Sequence, residues 1–507
     1  MIKQPKPGKY TVGVVGAGVM GRGIAQLMAM AGVNVIIFDK CEVAALEGCA
    51  FSKRMILRLA EKGNLSDKNA SAAVSRLRKV SDIKKMAECD TVIEAVLEDL
   101  ETKKNVFSAL ENIVSRQCIL ASNTSSLSVT EIAAVLDSPE RFAGLHFFNP
   151  VPLMKIVEIV SGIETALETG DTLETLIKLS GHDSVRVKDT PGFLINHAGR
   201  GLNTEGLRIV SEGIADFAGV DDLIREGGPK FSMGPFELMD TTGLDVSHLV
   251  MESIYNRFYQ EPRFRPVPLT GTRVAAGLCG RKSGNGFYRY EDNKTVLSKN
   301  NPQSSELPKS VWISPEDNAG GELLKKVLLD YVEIDCGKKP KPYSLCMFTP
   351  LGKDVTSCAV EAGVEAERSF GVDTLFGLAG RRTLMLSPIS DKSLGDSARA
   401  ALSADGSSVT IISDSPGFVN QRTIATVINI ACDIAQQQIA SPTDIDKAVK
   451  IGLGYPLGPL SIGDRLGPTR ILQILQAMFE FYLDPRYRPS PWLKRRAMLN
   501  ISLLTSE

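Results

Sequence analysis

The chain has 507 residues, 43% of them hydrophobic and 23% charged, with a formal net charge of -1. That length exceeds one hydrophobic core and predicts three or four domains. The composition excludes a disordered or membrane-embedded protein, and the near-zero charge offers no field to nucleic acid or to a membrane surface. Nine cysteines with no C-x-x-C pair argue against both a disulfide framework and a zinc site, so no metal is expected. The start, Met1 to Lys9, is polar and Pro-rich and carries no secretory signal, which predicts a cytoplasmic protein.

Taken in chain order, the first apolar run is Tyr10–Val15. It leads straight into Gly16-Ala17-Gly18-Val19-Met20-Gly21 and a helical pattern through Ala31, giving strand, G-x-G-x-x-G and helix. The first glycine permits the tight turn, the second lets a pyrophosphate approach the backbone, the third allows close helix packing, and the helix N-terminus offers unpaired N–H groups to phosphate. Asp39 closes the next strand, Val33–Phe38. An acid there accepts hydrogen bonds from a ribose and repels a 2′-phosphate, which favours NAD over NADP, although Lys40 stands beside it.

Arg54, Arg58 and Lys62 share one face of the helical stretch that follows. Strand-like runs continue at Thr91–Glu94, Ile119–Ser122 and Phe142–Phe148, and with the first two they predict a parallel, doubly wound sheet. Ser125 and Ser126 precede a helical stretch near Val129 and suit a helix cap as well as a ligand contact. His146, one of four histidines, stands at the end of an apolar strand, where the carboxyl ends of a parallel sheet face the ligand crevice. Glu158 follows one strand-like segment later between apolar neighbours, and a buried carboxylate needs a partner. A His146–Glu158 pair fixes the imidazole tautomer and suits removal of a hydroxyl proton, while a strand-end histidine taken alone is more often structural.

After Asp189-Thr190-Pro191-Gly192-Phe193 the pattern turns helical, from Leu194 through Phe217 and from Asp245 to Tyr259. Asn293 to Lys309 reads as a linker, and a second unit begins near Ser310. There the chain repeats itself: Asp414-Ser415-Pro416-Gly417-Phe418 copies Asp189–Phe193, and Gly458-Pro459 with Asp464 copies Gly234-Pro235 with Asp240. Val355-Thr356 falls on Val129-Thr130, Glu367-Arg368 on Glu140-Arg141, His146 opposite Asp373, Glu158 opposite Leu384 and Asn196 opposite Gln421. No glycine loop precedes the copy, which is expected to lack the first βαβ half and to be catalytically silent. The expected fold is therefore an α/β Rossmann-type doubly wound domain over residues 1–188, an all-α domain over 189–295, a linker and partial degenerate α/β segment over 296–412, and a second helical copy over 413–507.

Asn123-Thr124-Ser125-Ser126, Arg141 through Pro152 around His146, Glu158, and Asp189 through Asn196 together resemble the L-3-hydroxyacyl-CoA dehydrogenase family, continuously from about Tyr10 to Tyr290. The long form is similar to a bacterial subgroup linked to aromatic-acid and phenylacetate breakdown. The resemblance implies an NAD-dependent oxidation of (S)-3-hydroxyacyl-CoA to 3-oxoacyl-CoA, with 3-hydroxyadipyl-CoA and 3-hydroxybutyryl-CoA as candidates. It makes His146 the general base and Glu158 its orienter. Ser125 and Asn196 become the substrate ligands, and Asn149 helps to hold the site. Glu98 and Lys103 fall near the nicotinamide-side ribose, with Asn123 among the cofactor positions.

Arg54 and Arg58, with Lys62, could meet the CoA phosphates, or form solvated surface. Arg200, four residues after Asn196, could meet a distal acyl carboxylate, or form a surface ion pair. Asn196 could be only a cap. The helical copies suggest a homo-oligomer or an intramolecular pseudo-dimer. Two other functions fit the same fold: an NAD-dependent dehydrogenase of a free hydroxy acid or sugar acid, and a nucleotide-binding structural protein without turnover.

Overall fold

In a computed structural model the apolar runs of the first two hundred residues form one eight-stranded sheet; the structure describes residues 2–292, 294–296, 306–315 and 318–506. The chain divides into two units, Met1–His197 with Gln437–Leu453, and Ala198–Gln436 with Gly454–Glu507. Among the described residues no helix is long and apolar enough to cross a membrane.

In the first unit the strands are β1 (Thr11–Val15), β2 (Asn34–Phe38), β3 (Leu77–Lys79), β4 (Thr91–Glu94), β5 (Ile119–Ser122), β6 (Phe142–Phe147), β7 (Ile156–Ser161) and β8 (Asp183–Lys188). Their order is β3-β2-β1-β4-β5-β6-β7-β8. The sequence predicts a parallel sheet, and β1 to β6 are parallel. β7 pairs antiparallel with β6, however, so β7 and β8 run the other way. The reason is the short link over residues 148–155, which admits a reversal but not the crossover of a dozen or more residues that a parallel pair requires.

The helix Val19–Met30 lays Ile24, Leu27 and Met28 on the sheet beside Val12, Val14, Val35 and Ile37. Residues 437–453 complete this unit. Lys188 donates its amide to the Ile439 carbonyl at 2.9 Å, Lys447 pairs with Asp183 at 2.8 Å, and the helix Pro442–Gly452 lies against β8.

In the second unit the helices Arg200–Ser211, Pro235–Thr242 and Leu244–Arg257 belong to the first helical copy, and Asn420–Gln436, Pro459–Leu466 and Pro468–Tyr482 to the second. Gly201 lets Arg200–Ser211 and Asn420–Gln436 touch: a Cβ there would stand 3.1 Å from the Val427 α-carbon. A two-stranded hairpin, β9 (Tyr290–Glu291) and β10 (Lys294–Thr295), lies at the start of the predicted linker, much of which falls outside the described residues.

A six-stranded sheet follows, of β11 (Ser310–Ile313), β12 (Glu333–Asp335), β13 (Leu345–Phe348), β14 (Ser369–Val372), β15 (Arg382–Leu386) and β16 (Val409–Ser413), in the order β12-β11-β13-β14-β15-β16. β11, the helix Asn318–Leu328 and β12 form a parallel βαβ unit, so the copy does not lack its first βαβ half as the sequence suggests. Without a glycine loop that unit leaves little to read.

The repeat is visible in detail. Phe193 and Phe418 share a left-handed φ, 49° and 51°, after Gly192 and Gly417 at 75° and 81°. Arg141 donates to the Ser115 and Cys118 carbonyls, and Arg368 to those of Lys341 and Ser344. As Lys188 binds Ile439 in the first unit, Ser413 donates to the Ile214 carbonyl at 2.8 Å in the second, the two pairs standing 225 residues apart.

One expected equivalence changes. Gly144 faces Val129 and pairs with Val160, while Gly371 faces Val355 and pairs with Met385. Counting outward along both pairs puts Thr383, not Leu384, in the place of Glu158. A one-residue slip turns a strand's side chains to the other face, and Leu384 belongs to the apolar face with Val372 and Phe370.

Candidate active site

The glycine loop has the form a dinucleotide needs. Gly16, at φ 101°, receives no side chain without overlap on the Ala95 carbonyl, and a side chain on Gly21 would overlap the Gly16 carbonyl. Gly18 has open space before it, nothing lying within 4 Å of an added Cβ, which leaves room for a pyrophosphate. The helix Val19–Met30 carries no side-chain cap and no acid in its first turn, so its N-terminal N–H groups stay available to an anion. Val19 is exposed and Met20 half-buried at this end. Asp39 accepts the Ala17 amide at 2.8 Å and the Cys41 amide at 2.9 Å, which ties the end of β2 to the loop and leaves lone pairs for a ribose. These residues fit NAD.

Antiparallel pairing of β6 and β7 sets His146 directly across from Glu158. Glu158, fully buried, accepts the Leu194 and Ile195 amides on Oε1 at 3.0 and 2.8 Å, and its Oε2 lies 2.6 Å from His146 Nδ1. Two backbone amides and one imidazole answer the need for partners that the sequence raised. An anionic acceptor on Nδ1 keeps the proton there and turns the lone pair of Nε2 outward, the arrangement of a base. Phe148 and Phe193 flank the ring, with centroids 4.3 and 5.8 Å away.

Asn123 holds the same strand end by accepting the Phe147 amide at 2.9 Å. Its carbonyl oxygen is thus spent on the backbone. Asn149 is exposed just beyond Phe148. The capping alternative for Ser125 does not hold: Ser128 caps the helix Val129–Ala133 by accepting the Glu131 amide, while Ser125 is exposed in the loop before it. Nor does Asn196 stand ahead of a helix, since it lies inside the turn Ile195–Ala198.

Around Ser125 the structure gathers Glu98 and Lys103, which the resemblance names, with Glu94, which sequence reasoning missed. Glu98 Oε1 accepts five donors within 3.3 Å: the Thr124 hydroxyl, the Ser125 and Ser126 amides and the Ser125 and Ser126 hydroxyls. Burial opposes ionisation of Glu98, but Lys103 and these donors outweigh it and hold the carboxyl below its usual range. Lys103, buried, pairs with Glu98 at 3.2 Å and with Glu94 at 2.6 Å. The one signal available was a glutamate closing the apolar run Thr91–Glu94, where a carboxylate must find a cation.

Arg54 and Arg58 are exposed on the helix Glu42–Glu61, and Lys62 just past it is exposed too. Arg200, in the second unit, opens the helix Arg200–Ser211 and is buried. Burial lowers its pKa to about 10, partly offset by Tyr455.

Residues 11–190 match the family model for the NAD binding domain of 3-hydroxyacyl-CoA dehydrogenase, and residues 192–290 and 417–501 match that for its C-terminal domain. The chain is 35% identical to 3-hydroxyadipyl-CoA dehydrogenase of Escherichia coli (strain K12), over 96% of this chain and 98% of that one. It is 39% identical to a probable 3-hydroxybutyryl-CoA dehydrogenase of Bacillus subtilis (strain 168), over 55% of this chain and 96% of that one. A crystal structure of 3-hydroxybutyryl-CoA dehydrogenase from Escherichia coli K12 superimposes with a TM-score of 0.84 at 34% identity, over 97% of this chain and 98% of that one.

Proposed function

The chain belongs to the 3-hydroxyacyl-CoA dehydrogenase family, and from that premise we propose the residues that carry its reaction, the oxidation of (S)-3-hydroxyacyl-CoA to 3-oxoacyl-CoA. The observation that supports the assignment best is the 2.6 Å contact of His146 with a Glu158 anchored by two amides. His146 Nε2 takes the C3 hydroxyl proton, and Glu158 holds the ring in place and stabilises the imidazolium. The glycine loop Gly16–Gly21 and Asp39 would hold NAD, which would supply the hydride acceptor for C3. Ser125 and Asn196 hydrogen-bond the reacting oxygen as it becomes a ketone, with Asn149 at the edge of the site.

Glu98 explains why Ser125 can serve. One carboxylate oxygen has two lone pairs, so five donors oversubscribe it, and the longest contact is the Ser125 hydroxyl at 3.3 Å. That hydroxyl turns to a substrate oxygen at little cost, while the Ser125 amide at 2.9 Å keeps the residue in position. Arg54 and Arg58 take the CoA phosphates. The second helical copy completes an intramolecular pseudo-dimer, and the second sheet, with Asp373, Thr383 and Gln421 in place of His146, Glu158 and Asn196 and no glycine loop, binds no second NAD. The four-part division drawn from the sequence and a cytoplasmic setting belong to the same reading.

Asp39→Ala is expected to raise the KM for NAD roughly 10- to 100-fold, the loss of a charge-assisted hydrogen bond, and to relax discrimination against NADP because the repulsive charge goes with it. Steady-state rates with both cofactors check this; an unchanged NADP/NAD ratio would assign the choice to Lys40 or another residue. For the acyl group, the names of the relatives point to 3-hydroxyadipyl-CoA or 3-hydroxybutyryl-CoA. We assign Arg200 to the distal carboxylate of the former. Arg200→Met should lower the activity ratio of 3-hydroxyadipyl-CoA to 3-hydroxybutyryl-CoA by roughly 10-fold or more, the worth of a hydrogen bond to a charged group. A ratio equal to wild type would remove Arg200 from the site, and turnover of the free acid but not of the thioesters would remove the substrate class.

A further inference from the structure

Glu94 is the last residue of β4, level with Ser122 on β5. It is fully buried, and each of its oxygens is in use: Oε1 accepts the Val96 amide at 2.7 Å and the Lys103 ammonium at 2.6 Å, and Oε2 accepts the Ser122 hydroxyl at 2.6 Å. Lys103 is equally buried and sits in the first turn of the helix Leu100–Glu111. A cation there opposes the helix dipole and has given up its water, so the position is costly twice over. A buried ion pair of this kind is weak evidence for stability. What it does achieve is a fixed ammonium, 3.2 Å from the Oε2 of Glu98, whose other oxygen gathers Thr124, Ser125 and Ser126.

We infer that Glu94 is a positioning residue for the reaction, acting through Lys103 and Glu98 to hold the Ser125 hydroxyl where the substrate oxygen arrives. The inference rests on the proposed role of Ser125. The chain of contacts runs from the end of β4 through the next helix and back to the loop after β5, so it ties together three segments that meet at the carboxyl edge of the sheet. With Glu94 neutral, Lys103 keeps only Glu98 as a counter-charge and draws it away from the oversubscribed loop. Ser125 then loses its place, because the amide contact that keeps it in position is made to that same Glu98 oxygen.

Glu94→Gln is expected to lower kcat/KM for the acyl-CoA roughly 10- to 100-fold, the range for a lost charge-assisted hydrogen bond. In a Ser125→Ala background the same change should cost less than about 3-fold, since the residue it acts through is already gone. Losses that multiply in the double variant overturn the inference and leave the role of Ser125 standing. A Ser125→Ala enzyme with wild-type kcat/KM overturns the substrate contact itself. Because Glu94→Gln leaves a buried lysine short of a partner, the pair Glu94→Leu with Lys103→Met is the second test. It removes both charges, is expected to fold by circular dichroism, and should still lose at least 10-fold in kcat/KM. Wild-type kcat/KM in that folded double variant also overturns the inference.

Discussion

Replacing His146 by Gln is expected to lower kcat by roughly 10²–10⁴-fold, the range for loss of a general base, with NADH binding nearly unchanged. In the proposed assignment the glycine loop and Asp39 hold the cofactor from β1 and β2, while His146 stands at the end of β6, so the substitution is expected to remove a proton acceptor and leave the dinucleotide site as it was. Glu158→Gln is the sharper companion. Its carbonyl oxygen still accepts the Leu194 and Ile195 amides, which need an acceptor. The amide nitrogen then faces His146 Nδ1, and an N–H donor there forces the other tautomer, with the proton on Nε2. The ring keeps its place and loses its basic nitrogen. Steady-state NADH formation gives kcat, and quenching of protein fluorescence by NADH gives the cofactor affinity. Both variants turning over within a few-fold of wild type would remove His146 and Glu158 from the chemistry.

Arg422→Leu should destabilise the second unit by about 3–5 kcal/mol, the usual result of removing one partner from a buried ion pair. Arg422 and Glu205 are both fully buried, and Arg422 donates to Glu205 Oε1 at 2.9 and 2.7 Å, to Glu212 at 2.9 Å, and to Ser415, Tyr482 and Tyr487 at 3.0 to 3.1 Å. Glu205 keeps Arg486 at 3.3 Å and Tyr487 at 2.7 Å in the variant, which is less than a buried carboxylate needs. The cluster joins the helices Arg200–Ser211 and Asn420–Gln436, so the cost falls on the contact between the two helical copies. Calorimetry should show the corresponding transition about 10 °C lower, at the few degrees per kcal/mol usual for a unit of this size.

The pH dependence gives that loss a sign. Burial opposes ionisation of Glu205, but Arg422 and Arg486 outweigh it, and the folded pKa lies below the ordinary value. In the wild type this stability is present above the unfolded pKa and is lost as pH falls through the folded one. With Arg422 gone burial prevails and the folded pKa rises, so the variant binds its proton more tightly folded than unfolded. The difference between variant and wild type should therefore narrow as pH is lowered from 7 toward 5. A loss under about 1 kcal/mol at pH 7 would mean that Glu205 needs no more than Arg486 and Tyr487.

Contiguous chain was enough for part of this protein. The glycine loop, Asp39 at the end of the next strand, His146 at the end of an apolar run and the repeat of Asp189–Phe193 at Asp414–Phe418 each depend on a few neighbouring residues, because turn geometry, strand period and helix caps are local properties. Those signals predicted the doubly wound sheet, the helical copies and the cofactor. They could not supply the direction of β7, which follows from the short link before it and alone sets Glu158 across from His146. Nor could they fix the register of β15, where a gap of one residue decided between Leu384 and Thr383 and so between the apolar face and the site face.

The Glu94, Lys103 and Glu98 cluster was hidden for the same reason. The resemblance names Glu98 and Lys103 without their link to Glu94, and only the packing of the helix Leu100–Glu111 against the sheet takes Lys103 and Glu94 out of water and makes them answer to each other. Sequence order likewise conceals that residues 437–453, more than two hundred positions on, finish the edge of the first sheet beside β8. Local chain chemistry determines which elements form; which polar side chains meet is decided by strand direction, register and burial, and these exist only once distant segments have packed.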